Sequence, residues 1–175
     1  MDTKTAVKDS KLKAFFIDQL QDIYWAEKKL VKTLPKLREA ATIQQLRDAF
    51  GAHHIETEKH IERIERVFSI IGEKRHTSKC AAMAGIVEEG DDIIDETENG
   101  TAQRDVGLIF AGQKAEHYEI ATYGGLRSIA VTLGYNDAAE LLRQTLEEEK
   151  AADTKLTSIA KNYVNYQAAR EHARN

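Results

Sequence analysis

Acidic side chains recur on the apolar stripes of four long helical segments, and this recurrence constrains the fold more than any other feature. The strongest case is residues 113–120, in the middle of a segment with helical periodicity that spans residues 101–133. Glu116 is in step with that segment's apolar stripe, and Glu119 follows one turn later, so both carboxylates point to nearly the same side of a helix. Because burying an unpaired charge is expensive, the sequence predicts that a metal ion compensates these charges.

Apolar residues spaced three and four apart predict four long helices and one short helix. The long helices span residues 9–40, 42–71, 101–133 and 136–166, and the short one spans residues 80–97. Helices of roughly 30 residues form rods of about 45 Å. Four such rods with two short turns and one long connection predict an all-α, ferritin-like four-helix bundle with an extra short helix in the long crossover.

Several residues indicate where the predicted helices begin and end. The segment Thr42-Ile-Gln-Gln has the spacing of a capping box, which predicts that Thr42 caps the second helix. Thr101 and Asn136 are placed to cap the third and fourth long helices. Pro35 lies inside the first helical pattern and predicts a kink or an early end there.

The ends of the chain differ in composition from the helical segments. We expect residues 1–8 to form a flexible leader, residues 9–166 a single bundle domain, and residues 167–175 a charged tail. The polar N-terminus does not resemble a signal peptide, and no apolar run approaches membrane-spanning length. The single cysteine, Cys80, rules out an intrachain disulfide. These features favour a cytoplasmic protein without a membrane partner.

Charge and apolar surface set the expected partners. A net charge of −4 gives no electrostatic reason to propose nucleic acid as a partner. Glycine-rich helix faces, together with exposed-looking Phe15, Trp25 and Phe110, predict a surface that a second copy covers. We therefore expect a homodimer.

Each predicted long helix carries acid near its midpoint on its own apolar face. The set is Glu27, Glu56, Glu116, Glu119, Glu149 and Asp153. His53 and His60 flank Glu56 on the same helix. Two iron or manganese ions inside a bundle take hard oxygen ligands and one or two imidazoles, and all four helices supply them in such sites. The residues therefore predict two divalent metal ions, iron in the first place and manganese as the alternative.

Each residue also has a purely structural interpretation. Glu27 fits a partly exposed edge of its stripe, and Glu149 ends an acidic run of the kind that usually faces solvent. His53 and His60 fit hydrogen-bonded core histidines, and His117 fits a solvent-facing position. The coincidence of acid at matching depth on four helices favours the metal site.

Three segments carry a resemblance to a known family. They are Glu56-Thr57, the block Gln-Lys-Ala-Glu-His-Tyr-Glu-Ile-Ala-Thr-Tyr at residues 113–123, and Thr-Leu-Glu-Glu-Glu-Lys-Ala-Ala-Asp at residues 145–153. With residues 80–85 and 133–135, they resemble the YciF/YciE family of bacterial ferritin-like proteins, over nearly the whole chain. The resemblance implies a dimeric di-metal carboxylate bundle associated with bacterial stress responses.

The same resemblance implies a ligand set. Its members are Glu27, His53, Glu56, Glu116, Glu119, Glu149 and Asp153. Helical phase on the second helix leaves His60 as the alternative to His53. The sequence departs from the wider ferritin-like pattern, in which Glu-x-x-His recurs on the second and fourth helices. Here the second helix has the reversed order, His53-x-x-Glu56, and the fourth has Glu149-x-x-x-Asp153 without histidine. The number of nitrogen ligands therefore stays open.

Three functions are compatible with these observations. The first is a di-iron or di-manganese oxidoreductase that oxidises Fe(II) or consumes O₂ or peroxide. The second is metal binding or storage without turnover. The third is a helical stress or scaffold protein that does not use its acidic core. Bound-metal analysis separates the third from the others, and turnover of peroxide separates the first from the second.

Overall fold

The computed structural model describes residues 10–172, so the predicted leader lies outside the described residues. This part of the chain contains helices and no strand. Five helices make up the body of the fold: α1 (Lys11–Ala40), α2 (Gln44–Ile70), α3 (Ala81–Glu96), α4 (Ala102–Thr132) and α5 (Asn136–Ile159). A π-helical turn (Ala160–Val164) and the short α6 (Asn165–Ala168) extend α5.

The four long helices form the predicted all-α, ferritin-like bundle. α1 packs against α2 and α4, and α5 packs against α4 and α2. α4 begins beside the turn between α1 and α2, because the Asp105 carboxylate binds the backbone of Thr42. The crossover that contains α3 therefore returns the chain along the length of the bundle, so that neighbouring long helices run antiparallel. α3 lies across α1 and α4, where a Cβ added at Gly107 would be only 2.5 Å from Ile93 Cγ2.

The N-terminus of α2 is capped from another helix. Asp105 accepts hydrogen bonds from the backbone N–H groups of Thr42 (2.6 Å) and Ile43 (3.0 Å). The predicted capping box is therefore wrong, because α2 begins two residues later, at Gln44. Its N-cap residue is Ile43, whose apolar side chain cannot accept a hydrogen bond. The Asp105 carboxylate supplies the acceptor that a local Ser or Thr would otherwise provide.

Other helix ends follow the sequence to differing degrees. Thr101 caps α4 as predicted, accepting from the Arg104 N–H at 3.2 Å. Asn136 does not cap α5, because it is already the first helical residue and its predecessor Tyr135 occupies the cap position. α1 continues past Pro35 to Ala40. Gly134 provides the positive φ of +79° that the turn before α5 requires.

The predicted charged tail contributes a contact of its own. The Glu171 carboxylate accepts from the backbone N–H groups of Ala102 (2.7 Å) and Gln103 (2.9 Å). These are donors of the first turn of α4 that have no partner within the helix. The end of the described chain therefore binds the N-terminus of α4.

Apolar side chains fill the bundle from end to end. Buried glutamates and histidines lie near the middle of the long helices, and Arg104 and Asp105 are buried at the start of α4. Trp25 is half-buried against this core, whereas Phe15 and Phe110 are 52% and 62% exposed. Of the three aromatic residues predicted from the sequence to be exposed, Phe15 and Phe110 are exposed and Trp25 is not. Among residues 10–172, none of the helices combines the length and apolar character that crossing a bilayer requires.

Candidate metal centre

Six ionisable side chains from the four long helices meet inside the bundle. They are Glu27 of α1, His53 and His60 of α2, Glu116 and Glu119 of α4, and Glu149 of α5. None is more than 6% exposed, although glutamates are rarely buried so completely unless they are paired. The four helices therefore place four carboxylates and two imidazoles in the interior of the bundle.

The six residues form two groups that share Glu149. The first group is His53, Glu116, Glu119 and Glu149, and the second is Glu27, His60 and Glu149. Within each group, one nitrogen or oxygen atom per residue lies within 4.8 Å of the corresponding atoms of the others. Each group thus offers at least three donor atoms that lie close enough together to hold one cation.

Eight nitrogen and oxygen atoms of these residues make no hydrogen bond. They are Oε2 of Glu27 and of Glu116, both carboxylate oxygens of Glu119 and of Glu149, and Nδ1 of His53 and of His60. No other buried side-chain nitrogen or oxygen between residues 10 and 172 lacks a partner. Because nearly all buried polar atoms are hydrogen-bonded, eight exceptions in one place call for a ligand. A donor set of carboxylates and imidazoles suits iron or manganese.

Helical phase explains which residues of α2 reach the interior. With about 100° per residue, His60 lies about 20° from His53 around the helix, and both rings face the bundle. Glu56 is turned about 60° away from His53, and its side chain is 41% exposed. Its Oε2 lies 3.6 Å from His53 Nδ1, so Glu56 stands at the edge of the cluster. The structure thus brings in both histidines, which the sequence treated as alternatives, and leaves Glu56 outside the two groups.

Asp153 also lies outside both groups. It follows Glu149 by four residues, which turns it about 40° around α5, and its side chain is one methylene shorter. Gln113 Nε2 donates to its Oδ1 at 2.9 Å, and His117 Nε2 lies 3.3 Å from the same oxygen. His117 is itself 69% exposed. Asp153 therefore occupies a polar contact at the α4–α5 edge rather than the cluster.

Three further residues hold the cluster from outside, and the sequence patterns did not single them out as site residues. The Tyr123 hydroxyl donates to Oε1 of Glu27, the oxygen that lies 3.5 Å from His60 Nδ1, and Oε2 of that carboxylate makes no hydrogen bond. Glu148 Oε2 lies 2.9 Å from His60 Nε2, and Arg63 binds both oxygens of Glu148. The signal for Tyr123 was present, since it follows Glu116 by seven residues and Glu119 by four and so lies on the same face of α4.

The buried carboxylates strongly perturb the two histidines. Burial by itself lowers the pKa of His53, but the charges of Glu116 and Glu149 and the neighbouring Glu56 outweigh it and raise the pKa to about 9. Burial likewise opposes protonation of His60, yet Glu27 and Glu149 raise its pKa to about 11. His60 Nδ1 is 2.9 Å from Glu149 Oε1, at an ion-pair distance without the alignment of a hydrogen bond.

The carboxyl groups respond to burial in different ways. Burial raises the pKa of Glu116 and of Glu119 well above the usual range, and the charge of Glu149 adds to the effect. Burial also raises the pKa of Glu27, despite the opposing charge of His60. Among the four buried glutamates of the cluster, Glu149 alone has a lowered pKa, because His60 and His53 together overcome the effect of its burial. Protons therefore neutralise part of the charge of the cluster when no cation is bound.

The chain matches a known protein family over nearly its whole length. The profile of the domain of unknown function DUF892 matches residues 11–169 of the chain. The chain belongs to the DUF892 family. This DUF892 protein is 50% identical to YciF of Escherichia coli over 154 residues, which cover 87% of the chain and 92% of YciF. The resemblance to the YciF/YciE family is thereby confirmed.

Solved structures of related proteins share the fold. The crystal structure of the E. coli stress protein YciF matches with a TM-score of 0.85 at 48% identity, over 89% of this DUF892 chain and 98% of the YciF chain. YcfI of Rhodopseudomonas palustris, whose description proposes a structural role, matches with a TM-score of 0.83 at 38% identity. That match covers 86% of the chain and 96% of YcfI. A Xanthomonas campestris protein at 18% identity, with a TM-score of 0.71 over 92% of the chain and 98% of its own, shares the fold alone.

Proposed function

We propose that this DUF892 protein binds two divalent metal ions, iron or manganese, inside its bundle and uses them to oxidise Fe(II) or to consume O₂ or peroxide. The observation that carries the proposal is the set of eight buried, unpartnered nitrogen and oxygen atoms on four helices. Two dications offset the charge of four carboxylates, which removes the cost of burying them.

The two groups of donors would each hold one of the two ions. Glu149 belongs to both groups of donors, so it would help to hold each of the two ions. His53 and Glu116 with Glu119 complete the first group, and Glu27 with His60 completes the second. When bound, such ions supply electrons and Lewis acidity toward a small oxidant. The cluster residues are buried in an apolar core, so their charges would act on a metal ion at a lower dielectric than that of bulk water.

A role in stress is the biological setting that this proposal implies. The E. coli relative YciF is described as a stress protein, and limiting free Fe(II) and peroxide would protect a cell under oxidative stress. The structural role proposed for the relative YcfI favours a second candidate, a bundle that binds metal or acts as a scaffold without turnover. Both candidates lead to different outcomes in one experiment.

The experiment compares two neighbouring glutamates of α5. Protein is expressed with iron and manganese supplied, and bound metal is measured by elemental analysis for the wild type, E149Q and E147Q. Glu147 is exposed and pairs with Lys150 at 3.0 Å, so E147Q is the matched control. We expect two ions per chain in the wild type and E147Q, and loss of both in E149Q.

Turnover is then measured on the same three proteins. Consumption of O₂ with Fe(II), or of peroxide, by the wild type and E147Q but not by E149Q supports the oxidoreductase. Metal content without oxidant consumption assigns binding or storage. If the wild type purified from metal-supplemented cells contains no metal, the proposal is overturned and the scaffold function remains.

A further inference from the structure

A cavity opens from the surface of the bundle onto one half of the buried cluster. Its volume is about 110 Å³, and it lies between α2 and α5. Alanines, among them Ala52 and Ala152, line part of its wall and leave space that longer side chains would fill. His53, Glu56 and Glu116 also line it, and Lys155 lies on the α5 side. The opening therefore combines narrow apolar walls with carboxylate and imidazole groups.

Two buried residues that line this cavity carry an atom without a hydrogen bond. Glu116 is 3% exposed and its Oε2 makes no hydrogen bond, and His53 is 6% exposed and its Nδ1 makes none. Both line the cavity and both belong to the first donor group. The cavity thus ends on two side chains that each carry a buried atom without a hydrogen bond, and this distinguishes it from a gap between small side chains.

No residue of the second donor group lines this cavity. Glu27 and His60 are 0% exposed. The cavity therefore reaches one half of the cluster and not the other. A cation that arrives through the cavity meets the His53 and Glu116 half first.

Glu56 is the carboxylate that links solvent to this half. Its side chain is 41% exposed, and its Oε2 lies 3.6 Å from His53 Nδ1. On its other side, the His53 ring places Nε2 3.3 Å from Glu116 Oε1. The three side chains form a continuous series of donors from the surface to the interior, each within a few ångströms of the next.

We propose that this cavity is the entrance for the divalent metal ions, and that Glu56 is a transfer ligand that passes each cation to His53 and Glu116. The inference rests on the proposed function, since it requires that the cluster binds metal. It assigns Glu56 a role in the rate of metal exchange rather than in the final coordination of the ions.

The charges along the cavity make the direction of the effects predictable. Removing the negative charge of Glu56 weakens the attraction for an incoming cation and slows its entry. Lys155 is exposed beside the same opening and repels cations, so its removal speeds entry. An entrance used by an anion would give the opposite sign for both substitutions.

The test measures uptake of Co²⁺ by stopped-flow absorbance and its release into excess chelator, using the metal-free full-length protein. The variants are E56Q, K155Q and A52L, with E58Q and K59Q as controls on exposed positions of α2. We expect uptake to slow by about threefold or more in E56Q and to accelerate in K155Q. In A52L, which narrows the opening, uptake and release slow by the same factor. The controls leave the rates unchanged.

Equilibrium affinity separates a transfer ligand from a resident one. The Kd for Co²⁺ stays unchanged in E56Q and A52L, because a change at an entrance alters uptake and release equally. A raised Kd in E56Q with unchanged rates of uptake makes Glu56 a resident ligand and overturns the inference. Unchanged rates in all three variants, or reversed signs in E56Q and K155Q, overturn it as well. Failure of the wild type to bind Co²⁺ would instead reject the proposed function itself.

Discussion

Nε2 of His60 lies 2.9 Å from Oε2 of Glu148, on a neighbouring helix of the bundle. When Nε2 carries the proton and donates to this carboxylate, Nδ1 is left as the free nitrogen. That atom lies 2.9 Å from Glu149 and 3.5 Å from Glu27. Arg63 holds Glu148 in turn through both of its oxygens. The series from Arg63 to His60 therefore orients one imidazole toward the cluster, as carboxylates commonly do for metal-binding histidines.

Removal of this carboxylate should weaken metal binding without unfolding the bundle. We expect E148A to lower the affinity for Mn²⁺ by about 10- to 100-fold, because His60 loses the acceptor that fixes its orientation. The measurement is a competitive titration against a chelator of known affinity. E147A, at the adjacent exposed position, serves as the control. Equal affinities of E148A and the wild type would show that His60 needs no orienting partner.

The metal-free protein should lose stability as the pH rises. The pKa of His53 is about 9 and that of His60 about 11 in the folded state, against an ordinary value of 6.5. Folding therefore takes up protons, so the contribution of both histidines is complete below pH 6.5. It is lost as the pH rises through 9 for His53 and through 11 for His60. Glu116 and Glu119, with raised pKa values, act in the same direction.

Thermal unfolding of chelator-treated protein at pH 6.5 and pH 9 measures this effect. The midpoint should fall at the higher pH, and H60Q should reduce the difference. Bound metal should reverse the trend, because ligand atoms must be deprotonated to bind it. A metal-free protein that is more stable at pH 9 than at pH 6.5 would contradict the arrangement of charges described for the cluster.

The Tyr123 hydroxyl should stabilise the interior through Glu27. In Y123F, Oε1 of Glu27 loses its donor and becomes a second unpartnered atom of that carboxylate. We expect the free energy of unfolding of the metal-free protein to fall by about 1–3 kcal/mol. Urea denaturation measures the change, and Y163F, at a tyrosine that is 50% exposed, is the control. Equal losses of unfolding free energy in Y123F and Y163F would show that the hydrogen bond from Tyr123 to Glu27 does not stabilise the protein.

The homodimer predicted from sequence should form on the exposed face of α4. Phe110 is 62% exposed and lies in one helical stripe with four further exposed residues, Lys114, His117, Ala121 and Gly125. We expect the wild type to sediment at twice the mass of the chain and F110D to dissociate. Y166D, at a tyrosine that is 68% exposed near the C-terminus, should remain dimeric. A monomeric wild type at micromolar concentration would exclude the dimer.

Helical periodicity was sufficient to predict most of the fold. Each apolar stripe needs a partner, so the four long helices and the short helix in the crossover follow from spacing alone. The caps of α2 and α5 did not follow. Asp105 caps α2 from a distant part of the sequence, and no local pattern near Thr42 indicates it. Asn136 fits a cap by composition, but the helix begins at that residue.

The candidate site was predictable where helical phase decides the direction of a side chain. Glu27, Glu116, Glu119 and Glu149 lie on the stripes of their helices, and all four are buried together. Glu56 and Asp153 were harder to place. Each lies one turn from a cluster residue of its own helix, and a rotation of about 40° to 60° together with a competing partner decides where its side chain lies. Gln113 holds Asp153 at the edge, for example. Contacts between helices, such as that of Glu148 with His60, depend on packing that the sequence does not display.

The most direct test is the location of the metal in a crystal. Crystals grown with Mn²⁺ and measured on both sides of the manganese absorption edge reveal the positions of the bound ions. We predict two anomalous peaks per chain, one between His53, Glu116, Glu119 and Glu149 and the other between Glu27, His60 and Glu149. The absence of peaks at these six residues, in crystals with manganese bound elsewhere or not at all, would contradict the metal centre.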